Sequence, residues 1–301
     1  MKNKVICFGE VLWDDFGATK TIGGAPLNVC YHLSKLKVDP IIVSQVGSDE
    51  LGKGILHQLD QWQLPANYCN ISVTHPTSTV RVKLLHNGEV RYTITEDVAW
   101  DFIEYNATLA DEIKLADAFV YGTLAARNAY TRATLLRYLE NAKWRVLDLN
   151  LRPPYVDTET LLLLIRSCHS LKLNRDELEF IIALLNREAQ TDQDGIAIIF
   201  SAFENIQETI LTKGKDGAAY YNRSEQLDIG GLTVLVKDTV GSGDSFLAAF
   251  VGGKLNGAAN DQILKDAVVL SAFIATRQGA CPTYTATELQ KFKQGYYEAE
   301  F

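Results

Sequence analysis

In the segment Asp238-Thr239-Val240-Gly241-Ser242-Gly243-Asp244, two glycines and two carboxylates stand just ahead of Ser245-Phe246-Leu247-Ala248-Ala249-Phe250, an apolar run that reads as a helix start. Gly241 and Gly243 let the chain bend so that successive N–H groups around Ser242 and the helix N-terminus point at one spot, which makes an anion hole. A carboxylate at that spot would repel a bound phosphate unless it must touch an attacking hydroxyl. Asp244 is therefore a candidate catalytic base. A helix N-cap behind a glycine loop would use the same residues.

Other segments carry similar ambiguity. Gly23-Gly24-Ala25-Pro26-Leu27-Asn28 is a glycine turn feeding a helix, with Asn28 placed to hydrogen-bond polyol oxygens. Asp14 follows the first strand after Gly9-Glu10-Val11-Leu12-Trp13, near the carboxyl end of a central strand, where open α/β sheets bind ligands. A buried carboxylate there would accept two vicinal sugar hydroxyls; a solvated turn aspartate is the alternative. In Asn174-Arg175-Asp176-Glu177, the first and last residues share one face of a helical turn, and either orient metal-bound water and phosphate oxygens or form a capping box. Thr212-Lys213-Gly214-Lys215-Asp216-Gly217 would let backbone approach nucleotide phosphates, or is a hairpin turn into residues 218–221. Gly47-Ser48-Asp49-Glu50-Leu51-Gly52-Lys53-Gly54 nearly matches a P-loop, but Gly54 replaces the hydroxyl residue that should bind Mg²⁺, and Asp49 and Glu50 would repel phosphates.

The elements that must position these residues form a rhythm. Short apolar runs at 5–8, 41–46, 118–121, 145–149, 170–173 and 209–211 read as buried strands, with helical spacing at 28–36, 51–62, 130–141, 158–166 and 177–186 between them. That alternation implies an α/β fold, a doubly wound and mainly parallel sheet with helices on both faces. Residues 10–21 and 77–95 break it: alternating Val80, Val82 and Leu84, with a turn at Asn87-Gly88, read as antiparallel strands forming a hairpin. A hairpin joins a parallel sheet poorly, so residues 10–22 and 75–100 are expected to form a small β lid on a single domain spanning 1–301.

With 301 residues, 47% of them hydrophobic, the chain has ample material for one large core. Its net charge of −8 speaks against a phosphate-backbone binder, and no nucleic-acid partner is expected. Cys7, Cys30, Cys69, Cys168 and Cys281 are scattered and include no Cys-x-x-Cys pair, which signals neither a disulfide framework nor a zinc site. The first residues lack an apolar core of signal-peptide length, and no stretch reaches about 18 uninterrupted apolar residues. The expectation is a cytoplasmic protein with no membrane partner.

Taken in order, Gly9-Glu10-Val11-Leu12-Trp13-Asp14, Gly23-Gly24-Ala25 with Asn28, Asn150-Leu151-Arg152-Pro153-Pro154, and the segments 174–177, 212–217 and 238–244 resemble the PfkB/ribokinase family of carbohydrate kinases over nearly the whole chain. The segment 9–14, Tyr121-Gly122-Thr123-Leu124-Ala125 and the segment 149–154 look closest to the bacterial fructokinases of that family. The resemblance implies a ribokinase-like fold and ATP-dependent phosphorylation of a hydroxyl of a free monosaccharide, fructose first, with ribose, 2-keto-3-deoxygluconate or a nucleoside as other acceptors. It implies that Asp14, Gly23, Gly24, Asn28 and Arg152 hold the sugar, and that Asn174, Thr212, Lys213, Gly214, Gly217 and Gly243 serve the nucleotide. Gly241, Ser242 and Gly243 would form the anion hole and Asp244 the base. Glu177 would reach Mg²⁺ indirectly, and a K⁺ site beside the anion hole would use Asp238, Val240 and Gly279. Sugar and ATP are the implied partners, and a homodimer formed through the lid is the expected assembly. A non-catalytic sugar sensor would be expected to lose the base or the anion hole, whereas Asp244, Gly241 and Gly243 are all present.

Overall fold

The computed structural model describes residues 3–17, 19–84, 90–155 and 157–299. In chain order the strands are β1 (Lys4–Phe8), β2 (Leu12–Asp15), β3 (Lys20–Gly23), β4 (Asp39–Gly47), β5 (Tyr68–Ser72), β6 (Ser78–Leu84), β7 (Val90–Ile94), β8 (Ala118–Gly122), β9 (Arg145–Asp148), β10 (Ser170–Asn174), β11 (Glu208–Thr212), β12 (Ala218–Asn222) and β13 (Gln226–Ile229). The helices are α1 (Ala25–Lys35), α2 (Glu50–Gln61), α3 (Ala107–Leu115), α4 (Ala129–Leu139), α5 (Thr158–Arg166), α6 (Arg175–Leu184), α7 (Asp192–Ala202), α8 (Ser242–Leu255), α9 (Asn260–Ala275) and α10 (Ala286–Ala299).

Strand β1 shows why the core has two halves. Val5 and Cys7 join one apolar cluster while Ile6 and Phe8 join the other, all fully buried, because side chains alternate along a strand and both faces of this sheet are covered. Leu109, Leu135, Leu161, Ile181 and Ile199 bring α3 to α7 onto one face; Leu27, Ile55, Phe250 and Ile263 bring α1, α2, α8 and α9 onto the other. The sheet has nine strands in the order β13-β12-β11-β10-β9-β8-β1-β4-β5. Strands β1, β4, β5 and β8 to β11 are parallel, and β12 and β13 add antiparallel at one end. The chain builds outward from β1 through β4 and β5, then crosses to β8, so the strand order reverses between β1 and β8. A crevice opens beyond the carboxyl ends of the strands at such a switch point.

The expected α/β, doubly wound, mainly parallel sheet is present, and the departures from the sequence reading are local. Residues 10–21 and 77–95 do not make one hairpin. They make two antiparallel pairs, β2 with β3 and β6 with β7, joined by a parallel pairing of β2 with β6 into a four-stranded sheet ordered β3-β2-β6-β7. The expected turn at Asn87-Gly88 lies outside the described residues. Helix α1 begins earlier than its apolar spacing suggests because Pro26 fits the first turn, where a helix has no use for its missing N–H.

Most helices start on a side-chain cap: Asp49, Asn106, Asn128, Asp157, Asn174 and Thr191 each accept a backbone N–H of the first turn. Helices α1 and α8 begin instead on Gly24 and Gly241, with no side-chain cap. Both of these uncapped ends face the crevice. Among the described residues no helix is long and apolar enough to cross a membrane.

Candidate active site

The crevice contains a cavity of about 450 Å³ that brings together Asp14, Gly24, Asn28, Arg152, Val240, Gly241, Gly243 and Asp244 from the sequence candidates. These candidates come from four separate stretches of chain: the segment after β1, the start of α1, the loop after β9 and the loop leading into α8 with its first turn; β6, β7, the end of β8 and β10 line the cavity as well.

Helix α8 begins at Ser242, so Asp244 lies inside its first turn and not at the cap. Gly241 has φ of 78°, the left-handed region that favours glycine, and a Cβ there would come 2.5 Å from the Ala280 Cα. The Ser242 amide bends back to the Thr239 carbonyl at 3.2 Å, while those of Gly243 and Asp244, like those of any uncapped helix end, take no partner among the described residues. The Asp244 carboxyl is 9% exposed and accepts a hydrogen bond from Asn28 Nδ2 at 2.7 Å. Burial, reinforced by the Asp148 carboxylate, raises its pKa to about 6, against the opposing pull of the Asn28 donor and of Lys172. The group is thus ionised at neutral pH yet close to its titration point.

The opposite wall is built around Gly24. Its φ of 115° and the contact that a Cβ would make with the Glu10 carbonyl leave room only for glycine. Gly23 does not line the cavity but backs it, its Cα facing the Asp14 carboxylate. Burial raises Asp14 to about 6, with Arg152 pulling down and Asp244 and Asp238 pushing up. Arg152 is exposed at the cavity mouth, bonded to the Leu151 carbonyl, with no carboxylate partner among the described residues. Leu12, Phe16, Val80 and Ile94 supply an apolar side from the smaller sheet.

The remaining candidates lie outside this cavity. Asn174 and Glu177 do form the capping box: Asn174 Oδ1 accepts the Glu177 N–H, and Glu177 Oε2 accepts the Asn174 N–H. Glu177 Oε1 also accepts the Leu151 N–H at 2.8 Å, which ties the Arg152 loop to α6. Thr212 lies beside Asn174 in register, and Lys213 to Gly217 form a short 3₁₀ turn, Gly214–Asp216, between antiparallel β11 and β12. Lys213 pairs with Asp228 at 2.6 Å. Asp238 stitches two loops together, accepting the Val240 N–H at 3.0 Å and the Gly279 N–H at 2.9 Å, so the three residues expected at a K⁺ site are neighbours. The P-loop-like segment is structural: Asp49 caps α2 and holds Thr77 through both oxygens, and Gly54 lies against the Trp13 ring.

Several cavity residues escaped the sequence reading. Glu10 is 4% exposed; one oxygen accepts the Ala25 N–H at 3.2 Å and the other has no partner among the described residues, and burial raises its pKa to about 7. Its signal was its place one residue beyond Gly9, the glycine that follows β1. Lys172 and Asp148 form a buried ion pair at 2.8 Å under Gly243. Part of their signal was legible, since Lys172 is the one charge in the run 170–173 and Asp148 shares the run 145–149 only with Arg145 at its start, but their pairing was not. Asn150, with φ of 38°, also lines the cavity.

A family model for pfkB family carbohydrate kinases matches residues 2–287. Fructokinase-2 of Oryza sativa subsp. japonica is 26% identical over 93% of this chain and 90% of its own. The structure of a fructokinase from Xylella fastidiosa with bound ATP superposes with a TM-score of 0.87 over 99% of this chain and 100% of its own, at 19% identity. A fructokinase from Vibrio cholerae O395 in its fructose, ADP and calcium ion bound form gives 0.81 over 96% and 98%, at 21% identity. At those identities the two structures speak for the fold alone. The match along nearly the whole chain, on a switch-point crevice lined by a buried aspartate and an uncapped glycine-started helix, places this protein in the pfkB family of carbohydrate kinases.

Proposed function

We propose that the protein transfers the γ-phosphoryl group of ATP to the primary hydroxyl of a free, uncharged sugar, with fructose preferred. The observation that carries this reading is the meeting of Asp244 with unpartnered N–H groups of its own helical turn in one cavity. The names of the rice, Xylella and Vibrio proteins support fructose, and the ATP and ADP in the two structures support the nucleotide.

The sugar hydroxyl would attack the γ-phosphorus in line, its oxygen bonding to phosphorus as the bond to the ADP oxygen breaks. Asp244 takes the hydroxyl proton. In a loose transition state that proton leaves late, so a carboxylate titrating at about 6 suffices and acts mainly by aiming the nucleophile. The amides of Gly243 and Asp244 face the charge that spreads over the transferring oxygens. A divalent cation bound with the nucleotide supplies further neutralisation of its phosphates. Among the described residues no three His, Cys, Asp or Glu side chains converge as a metal cage, and Glu177, whose oxygens each accept one N–H and keep a lone pair, is the carboxylate that would face it through water, as Mg²⁺ requires. Thr212, Lys213, Gly214 and Gly217 would border the nucleotide. Asp238, with Val240 and Gly279, is the group that would hold K⁺.

Charge argues for a neutral acceptor. Glu10, Asp14 and Asp244 line the cavity, whereas the charge of Lys172, beneath Gly243, is offset by Asp148 and Arg152 stands at the mouth with no carboxylate partner among the described residues. A dianionic phosphate or a keto-acid carboxylate would meet three acids and one unpaired guanidinium, too few donors to offset its desolvation. Arg81 is exposed and does not line the cavity, and the side chains of Lys83 and Arg91 lie outside the described residues. The smaller sheet would close over the sugar as a lid and exclude water. It ends on β3 and β7, edges through which two copies would pair as a homodimer.

The test is kcat/KM for fructose, glucose, ribose, fructose 6-phosphate, 2-keto-3-deoxygluconate and adenosine under one set of conditions. Fructose is expected to lead. A preference for fructose 6-phosphate or the keto acid would overturn the charge argument, and one for ribose or adenosine the acceptor alone.

A further inference from the structure

Lys172 is a lysine in the middle of a buried strand, only 6% exposed, and it lines the active-site cavity. Register places it opposite Asp148 on the neighbouring strand. Its ammonium donates to both Asp148 oxygens, at 2.8 and 3.0 Å. An ammonium has three N–H bonds, and the third has no partner among the described residues. Nζ lies close under the anion turn, 3.4 Å from where a Cβ on Gly243 would stand. A buried ion pair stabilises a fold little better than apolar side chains of the same volume, so stability gives little reason for this pair at the cavity wall. Burial alone would depress the lysine's pKa, but the adjoining Asp148 carboxylate holds it above its ordinary value, and the charge persists.

We propose that Lys172 is a further catalytic residue whose third N–H, beside the amides of Gly243 and Asp244, binds the transferring phosphoryl group and gives the anion hole a positive charge. Backbone amides offer only dipoles, and the Asp244 side chain of the same turn carries the opposite sign. As the phosphorus leaves the ADP oxygen for the sugar oxygen, the hydroxyl proton goes to Asp244 and Lys172 keeps all of its own. Asp148 is the positioning residue that aims the ammonium and keeps it charged.

This rests on the kinase reading and not on which sugar is the acceptor; the assays use whichever acceptor the wild type turns over best, and the ratio of variant to wild type isolates Lys172. Lys172→Met and the double variant Asp148→Asn/Lys172→Met, which leaves no unpaired buried charge, are expected to lose about 10²–10³ in kcat, the range for deleting one donor of an oxyanion site. Affinity for ADP with aluminium fluoride, a mimic of the transferring phosphoryl group, is expected to fall by a similar factor while affinity for ADP alone holds. A merely structural lysine would lower the melting temperature and leave the ratio of those two affinities unchanged. A crystal structure of the wild type with ADP, aluminium fluoride and acceptor does not depend on how the variants fold, and should place Nζ within about 3 Å of a fluoride. An Nζ bonded only to Asp148 in that complex, or a folded double variant with kcat near wild type, would overturn the proposal.

Discussion

Asn28 and Asp244, 216 positions apart in the chain, are joined by a hydrogen bond of 2.7 Å from Nδ2 to Oδ2. Each sits in the first turn of a glycine-started helix, and the bond links the α1 wall of the cavity to its α8 wall. On the far side of the amide the Cys281 thiol donates to Asn28 Oδ1 at 3.3 Å, which keeps the NH₂ turned toward Asp244. A donor to the ionised carboxylate lowers its pKa, so Asn28 helps to keep Asp244 charged.

For Asn28→Ala, loss of a hydrogen bond to a charged group, about 1.5–3 kcal/mol, predicts a fall in kcat/KM of about 10- to 100-fold. If Asp244 is the base, the wild-type pH–rate profile should show an acidic limb near pH 6, and in the variant that limb is expected to move to higher pH. A pH–rate series on both proteins reads this, and an unmoved limb would show that Asn28 acts on the sugar alone.

Glu10 gives a prediction for stability with the opposite pH sense from activity. Its folded pKa of about 7 lies above the unfolded value near 4.5, so the folded state binds the proton more tightly. Its contribution is fully present below about 4.5 and is lost as pH rises through about 7. Glu10→Gln removes this titration and leaves an oxygen for the Ala25 N–H. Buried His32, lowered to about 4 by burial, titrates in the opposing sense, so the comparison must be variant against wild type at each pH. The variant's melting temperature relative to wild type is expected to rise from pH 5 to pH 8 by several degrees, from about 3 kcal/mol of linkage. A constant difference would contradict burial of an ionisable Glu10.

Asp238 joins the anion turn to Gly279, which motivates a cation prediction. Turnover in tetramethylammonium buffer should rise with added K⁺ and only weakly with Na⁺, and Asp238→Ala should abolish the difference. Equal rates in all three salts would remove the cation from the mechanism.

How much of this was legible in the sequence follows from what each residue's role depends on. Asp244, Gly241 and Gly24 announce themselves because their tasks are local: a left-handed turn or an uncapped helix start is encoded within a few residues. Most of the parallel strands were readable from their largely apolar runs, but β5 was not, because Tyr68-Cys69-Asn70-Ile71-Ser72 carries no such run. The pairing of β2 with β6 was not, because it joins two hairpins distant in sequence and no local pattern records it. Lys172 and Asp148 have meaning only once register sets them opposite each other, and Glu10 only once α1 covers it. Asn174 and Glu177 show the converse limit: the capping box is plainly there, and its presence does not decide whether the same carboxylate also faces a metal.

The most direct test of the central claim is Asp244→Asn, an isosteric change that removes the carboxylate charge and retains an oxygen for Asn28. Single-turnover phosphorylation should be measured beside equilibrium binding of the sugar and of ATP. The account predicts near-wild-type binding of both with kcat lowered about 10²–10⁴-fold, the range for losing a general base. A folded variant that binds both ligands and loses less than about tenfold in kcat would contradict the assignment of Asp244 as the base.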